Sequence, residues 1–405
     1  GNNQYRVMRQ IGVFDKDTVY RSRSNANYQI ATADFSWKQQ LNKKSFLQLG
    51  MKYTYTGMKD DALYEGQEPD ESWKPNVEYG YELDYSENIG ALYGTYSLDM
   101  KRGAIHLGLR GEYTQTSNDT ELQTRKYWDW FPHVDGSFYF DEVRKWMLIG
   151  QYGRYIERPA FTALNPNRIQ TSDYSYLIGN PTLRPTYINK FSVTLVYNFR
   201  YTLTVGGNLH HDLIRQFGKE DAANSDISYV IYENHNRENH WFVAITAPWQ
   251  PVKWLNLNAN FIGVRQDIRM YKEGDYMSHY LYFANANATF NLPKEYTIEG
   301  QFSGASRLFS GNSGIEPYQA FNLLIRKKWN DSRFVTTLGM DNVFNKRNSY
   351  FSNVPSYDSM NHFALASKGR LVKLTFTWNF KQGNKSRSVT VEKQSSSERS
   401  RLEGK

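Results

Sequence analysis

The sequence predicts an all-β fold: an antiparallel transmembrane β-barrel with about sixteen strands present, short periplasmic turns and long extracellular loops. Three observations predict it. Connections alternate between short and long along the chain; the segments between them carry apolar residues at every second position; and aromatic residues collect beside the short connections. The short turns are Leu41 to Lys44, Asp99 to Arg102, Asp141 to Lys145, Asn198 to Tyr201, Pro248 to Pro251, Leu292 to Glu295 and Trp329 to Ser332. The long loops fall at about 57–86, 117–129, 156–187, 217–227, 305–315 and 342–365, so tight turns gather at one end and large loops at the other.

The strands follow in order, approximately at 3–14, 26–39, 45–56, 87–99, 102–116, 130–141, 146–155, 188–199, 201–216, 228–248, 253–270, 277–292, 295–304, 316–329, 332–341 and 366–380. The first rests partly on parity of count, because an even number places every short turn on one side. The others rest on alternation. Ile105, Leu107, Leu109 and Tyr113 oppose His106, Arg110 and Glu112; Phe191, Val193, Leu195, Tyr197 and Phe199 oppose Lys190, Ser192, Thr194 and Asn198, with Val196 as the exception. Leu255, Leu257, Ala259 and Phe261 oppose Asn256, Asn258 and Asn260, and Tyr282, Ala284, Ala286, Ala288, Phe290 and Leu292 oppose Asn285, Asn287, Thr289 and Asn291. In the last strand Val372, Leu374, Phe376, Trp378 and Phe380 oppose Lys373, Thr375, Thr377 and Asn379. One face of each strand suits hydrocarbon and the other water. Trp37, Phe140, Trp146, Phe199, Tyr201, Trp249, Trp254, Tyr296, Trp329, Trp378 and Phe380 map an aromatic girdle at the turn end.

Composition agrees. Mean hydropathy is −0.71, and no apolar run is long enough for a spanning helix. A barrel strand shows lipid only alternate side chains, so it keeps hydropathy low. Aromatic residues make up 16% of the chain, natural where rings must occupy two membrane interfaces. Cysteine is absent, which removes disulfides and thiolate metal sites. Part of the net charge of +8 lies after Phe380, where Lys381, Lys385, Arg387, Lys393, Arg399, Arg401 and Lys405 sit among serines without periodicity. That segment, 381–405, is expected to be a disordered periplasmic tail and not a nucleic-acid arm.

Sequence motifs for catalysis are missing: there is no His-Glu-x-x-His, Gly-x-Ser-x-Gly or phosphate-binding loop, so no catalytic residue and no cofactor is assigned. Metal binding is not expected either. His210 and His211 are adjacent on a strand and point to opposite faces; His235 shares parity with Glu233 and Arg237, while His240 lies on the other face. Asp60, Asp61, Glu68, Asp70 and Glu71 could hold Ca²⁺ through carboxylate oxygens, but a solvated acidic loop is the favoured reading.

The loop at 156–187 carries the most specific residues. Arg158-Pro159, then Leu164-Asn165-Pro166, then Gly179-Asn180-Pro181-Thr182-Leu183-Arg184-Pro185 lead into a strand ending Val196-Tyr197-Asn198-Phe199. Pro181 and Pro185 fix φ while Gly179 and Asn180 tolerate turn conformations, so the element makes a stiff corner, and a structural role outweighs ligand contact. Together with Phe131-Pro132, the strand Gly108 to Tyr113, Asp341 to Asn345 and the aromatic-ended last strand, this run resembles the barrel of TonB-dependent outer-membrane receptors. It is most similar to the outer-membrane β-barrel branch with an N-terminal carboxypeptidase-regulatory-like domain, over about residues 26–380.

The resemblance implies a Gram-negative outer-membrane location, lipid contact, and uptake of a scarce solute such as a glycan or siderophore. It implies energy coupling to the TonB complex through an N-terminal region, and allows a surface lipoprotein partner. It also implies 22 strands and a plug domain, so residues 1–380 are expected to be the C-terminal barrel portion of a longer receptor. Loop aromatics that stack on planar or sugar faces are the candidate ligand contacts: Tyr64, Trp73, Tyr79, Trp128, Tyr174, Tyr176, Tyr350, Phe351 and Tyr357. Loop self-packing is the competing role for each. A passive porin or structural barrel, and a soluble extracellular β-rich binding protein with its apolar faces stacked together, remain open alternatives.

Overall fold

The computed structural model describes residues 2–11, 14–75, 80–118, 124–166, 168–172, 174–222, 226–269, 276–310, 313–346, 349–354, 359–364, 369–380 and 401. Sixteen strands run in sequence as one antiparallel meander, each bonded to the next. They are β1 (Asn2–Ile11), β2 (Phe14–Asn42), β3 (Ser45–Gln67), β4 (Tyr81–Met100), β5 (Gly103–Asn118), β6 (Arg125–Tyr139), β7 (Trp146–Glu157) and β8 (Thr186–Tyr197). The second half comprises β9 (Tyr201–Glu220), β10 (Ser228–Val252), β11 (Leu255–Arg269), β12 (Tyr276–Leu292), β13 (Tyr296–Ala305), β14 (Tyr318–Trp329), β15 (Phe334–Asp341) and β16 (Leu371–Trp378). The register is regular over long stretches: in β8 and β9, Tyr187 to Tyr197 pair with His211 to Tyr201 without a slip.

The predicted parity holds. Val193 is 52% exposed and Leu374 75% exposed on the outer face, with no second sheet laid over them. On the inner face Thr194 bonds to Thr204 at 2.9 Å and Gln151 donates to Ser192 at 2.9 Å. Val196, the exception in its strand, is buried on that inner face. Uncovered apolar side chains on one side of a single sheet rule out a soluble sandwich, which would stack them.

The turns match their sequences. Asn198 and Phe199 both adopt left-handed backbone (φ 51° and 52°), the geometry of a tight hairpin reversal that follows strand twist. Asparagine tolerates this and phenylalanine does not prefer it, but the Phe199 ring packs 6.3 Å from Tyr139 in the girdle. At the turn from 141 to 145, the Asp141 carboxylate accepts the backbone N–H groups of Lys145 (3.0 Å) and Trp146 (2.9 Å). Those bonds hold its carboxyl below the usual carboxylate range.

Several strands are longer than expected at the loop end. β2 begins at Phe14 instead of 26, and β3 continues to Gln67 instead of 56, with pairing kept from Tyr20–Gly66 downward. β4 likewise starts at Tyr81 rather than 87. A span needs only about 9–11 residues. Beyond it both faces meet water or protein, so apolar alternation fades while the ladder persists. The long loops also hold structure: a one-turn helix at Phe161–Leu164, short strands at Trp73–Pro75, Ile169–Ser172 and Ser175–Ile178, and a separate four-stranded sheet from Leu308–Ser310, Ser313–Ile315, Ser349–Val354 and Ser359–Ala364.

Arginine placed on the outer face should be far more damaging than on the inner. Val193→Arg is expected to lower unfolding free energy in lipid vesicles by about 2–4 kcal/mol, with Thr194→Arg costing much less, as measured by denaturant titration of tryptophan fluorescence.

Candidate functional site

After β7 the chain turns inward and wedges into the loop-side mouth. Ala160 opens the short helix, whose Phe161 is fully buried. Phe161, Ala163 and Leu164 pack with Leu183 from the same loop and with Met58 and Leu83 from the inner faces of β3 and β4. Tyr28 and Tyr85 flank Phe161, their ring centres 5.9 and 6.2 Å away. This apolar knot explains why Met58 and Leu83 stand on the inner face beside Thr56 and Glu87.

The Gly-Asn-Pro-x-Leu-x-Pro corner holds the wedge shut. Any Cβ at Gly179 would sit 2.1 Å from the Asn165 carbonyl oxygen, so the two loop segments approach only because glycine is there. Asn180 donates its amide N–H to Ala163 (2.6 Å) and its side chain to the Tyr232 carbonyl (2.9 Å), while its Oδ1 accepts the Thr182 N–H (2.9 Å). Arg125 clamps the carbonyls of Thr182 and Leu183, both at 3.1 Å. Asn165 donates to the buried carboxylate of Asp60. Pro166, Pro181 and Pro185 lie half-buried around this network. A cavity of about 40 Å³ remains between Tyr127, Arg158 and Pro181, room for a few waters at most.

Arg158 is the electrostatic centre of the wedge. Its Nη2 donates to Glu112 (2.7 Å) and to Thr114 (3.1 Å), and its Nε lies 3.9 Å from Glu87. Arg110 holds the other Glu112 oxygen at 2.5 Å. Both glutamates are nearly fully buried, and the guanidinium groups gathered around them make their charge tolerable. Below the wedge the lumen wall is wet chemistry: Asp34, Lys52, Tyr93, His106, Arg110, His133 and Asp135 line one large cavity.

A second buried cluster depends on an irregularity. Asp212 takes left-handed backbone (φ 55°), and strand β9 changes face there: Thr204 and Gly206 point inward before it, Leu213 and Phe217 after it. Its partner β10 changes face opposite, so His235 and Glu238 come to the same side although their parity differs. The parity expected for His235 and His240 is corrected accordingly. Glu238 accepts Gln266 (2.8 Å), His240 (2.7 Å) and Arg215 (3.2 Å); His235 is fully buried against Phe217 with no partner on either ring nitrogen. The outward apolar run of β10 starts at Trp241, so this cluster stands above the bilayer. Burial pushes His235 down to about 4 against the pull of Glu238. Burial would raise Glu238, but its hydrogen bond from His240 and the charge of Arg215 outweigh it and hold the carboxyl at about 2. His210 Nδ1 donates to the Glu238 carbonyl (3.0 Å) while His211 faces Asp212, on opposite faces as expected.

Residues 2–378 match the outer membrane protein beta-barrel family. The chain belongs to that family. Its place is the outer membrane of a Gram-negative bacterium. Solved structures with the same fold include the copper transporter OprC (TM-score 0.60, 11% identity, covering 91% of this chain and 58% of that one). The ferric yersiniabactin uptake receptor FyuA from Yersinia pestis is similar (TM-score 0.56, 11% identity, 94% and 57%), as is the ferripyoverdine receptor of Pseudomonas aeruginosa (TM-score 0.54, 13% identity, 94% and 53%). The chain spans a little over half the length of these structures. No curated protein sequence matches it.

Within this family barrel the candidate aromatics divide. Tyr174 is 51% exposed at the loop end, and Trp73 is partly exposed with the Arg21 guanidinium 4.1 Å over its ring. Tyr350 is half-buried in the separate small sheet. Tyr64 is buried, and Tyr176 is buried between Arg168 (3.6 Å from its ring centre) and Tyr229 (5.1 Å), with its hydroxyl on Asp221 (2.8 Å). Trp128 stands elsewhere. With Trp130 it is on the outer face of β6, beside Phe35, Met51, Leu92 and Tyr113, where Trp241, Tyr280 and Tyr282 mark an upper girdle. Its proximity to a loop in sequence masked its parity. Tyr79, Tyr357 and the Phe351 side chain lie outside the described residues.

The acidic loop set is likewise split. Asp60 is buried in the wedge, whereas Asp70 caps Ser72 at the exposed tip, its carboxyl lowered by those hydrogen bonds. Among the described residues no three His, Asp or Glu side chains converge as metal ligands.

Removing Arg158 leaves two buried carboxylates undercompensated. Arg158→Ala is expected to lower the opening free energy of the wedge by about 3 kcal/mol, so trypsin should cut within 159–185 about 100-fold faster. For His235 the folded pKa lies below the unfolded value of 6.5. Unfolded chains therefore bind the proton more readily, and stability present above about 6.5 is lost as pH falls toward 4. Hydrogen exchange in 228–240, corrected for intrinsic rates, should lose protection across that window, and His235→Phe should flatten the dependence.

Proposed function

We propose that this barrel forms the wall, lumen lining and surface loops of a receptor that takes up a scarce solute across the outer membrane with energy supplied through TonB. The observation that carries the reading is the wedge: a packed, charge-locked loop segment that folds inward against the inner wall at the loop-side end. A passive pore requires an open path, whereas coupled uptake requires a barrier that yields to force. Ferric siderophore and metal transporters are among the folds it resembles, and a siderophore or glycan suits the loop aromatics. A surface lipoprotein would cover the exposed loop end around Tyr174.

In whole cells, growth on a panel of ferric siderophores and glycans should identify a solute whose uptake is lost on deleting either this protein or TonB. Constitutive ion conductance of the purified protein in planar bilayers, with TonB-independent uptake, would instead establish a porin. For the identified solute, Trp73→Ala with Tyr174→Ala in the complete receptor should weaken binding by about five- to tenfold, while Trp128→Ala should leave affinity unchanged.

A further inference from the structure

Polar side chains enter the lipid-facing side of the wall at one height on three neighbouring strands. Upward from the turn end, the outward residues of β8 are Tyr197, Leu195, Val193 and Phe191, then Asn189 and Tyr187. On β7, Tyr152 gives way to Arg154, and on β9, Leu209 gives way to His211. Arg154 lies opposite Asn189 and His211 opposite Tyr187, so these groups form one patch. The run from Tyr197 to Asn189 matches the about 9–11 residues that cross hydrocarbon, which puts the patch at the loop-side interface beside Trp130 of the upper girdle.

The patch is hollow. A notch of about 670 Å³ opens between Asp129, Trp130, Arg154, Tyr187, Asn189 and His211. An apolar groove of about 570 Å³ adjoins it, between Val134, Gly150, Phe191, Val193, Val205 and Trp241. Tyr152 borders both hollows and donates its hydroxyl to Asn189 Oδ1 (3.0 Å). Gly150 keeps the groove open, since a Cβ there would meet nothing within 4 Å. A trough for apolar chains that ends in a polar notch at the membrane surface has the form of an amphiphile's site.

The groups in the notch select the head group. Among the described residues, the Arg154 guanidinium donates to one acceptor, the Trp130 carbonyl at 3.5 Å, and stays 4.0 Å from Asp129 Oδ1. Asp129 is 7% exposed, yet among the described residues it accepts only the Tyr187 hydroxyl, at 2.9 Å on Oδ2. A guanidinium with spare donors suits a phosphate, and a carboxylate with a spare acceptor suits a hydroxyl. The half-exposed Trp130 adds a ring face on which a sugar stacks. A glycerophospholipid engages the arginine alone, whereas a phosphosugar engages all three.

We propose that groove and notch bind one phosphorylated glycolipid of the outer leaflet. Its acyl chains lie along Gly150 and Val193, a phosphate meets Arg154, and sugar hydroxyls meet Asp129 and Asn189. The site is on the outside of the barrel, so it depends neither on the lumen nor on the solute carried.

Native mass spectrometry of the full, delipidated protein in detergent tests this, with lipid A, an acylated glucosamine disaccharide bisphosphate, as the added lipid. Wild-type protein should retain one copy, and Arg154→Gln should weaken that binding about tenfold. Gly150→Leu, which fills the groove, should weaken it about tenfold as well. Dephosphorylated lipid A and phosphatidylglycerol should each bind wild-type protein about tenfold more weakly than lipid A. Heat-modifiable gel migration identifies folded variants, and if either variant fails to fold, the other and the comparison of lipids decide. No retained copy, lipid A binding unchanged in the folded variants, or phosphatidylglycerol binding as tightly as lipid A would overturn the proposal.

Discussion

Hydrocarbon offers no partner to a backbone N–H or C=O, and the whole structure follows from that constraint. Sixteen strands answer it with an antiparallel ladder in which each bonds to the next along the chain. Once the backbone is satisfied this way, side chains are sorted by parity alone, outward to lipid and inward to water. The modest hydropathy, the aromatic girdles and the polar lumen are consequences of that sorting.

A polar inner wall then permits what an apolar one would forbid: a loop can re-enter and bury charge. Arg158 and the corner around Gly179 and Asn180 do so with dense hydrogen bonding, and the Phe161 knot supplies the apolar burial that fixes their position. Strength comes from several modest contacts, each of which removes a buried group that would otherwise be costly. The inward wedge is therefore a built feature of the barrel wall and the loop at 158–185.

The strand count, the parity and the turn-end girdle were legible in the sequence because lipid imposes a strong period of two wherever it touches the chain. Legibility faded where lipid ends. Residues 14–25 and 57–67 continue the ladder without an apolar face to announce it. Trp128 looked like a loop aromatic because its sequence position said nothing of which way it points, and Tyr176 looked available because Asp221 and Tyr229, which cover it with Arg168, come from another segment. The His235 cluster turned on a single left-handed residue, Asp212, which inverts parity in a way no pattern count detects.

Because the chain has no cysteine, single cysteines can report the surroundings of each position without background. Placed one at a time from Tyr187 to Tyr197 in lipid vesicles and spin-labelled, they would be probed by oxygen, which partitions into lipid, and by a nickel chelate, which stays in water. The account predicts strict alternation, with positions 191, 193, 195 and 197 favouring oxygen and 190, 192 and 194 favouring nickel. Uniform accessibility along the strand, or both sets shielded from both reagents, would contradict it.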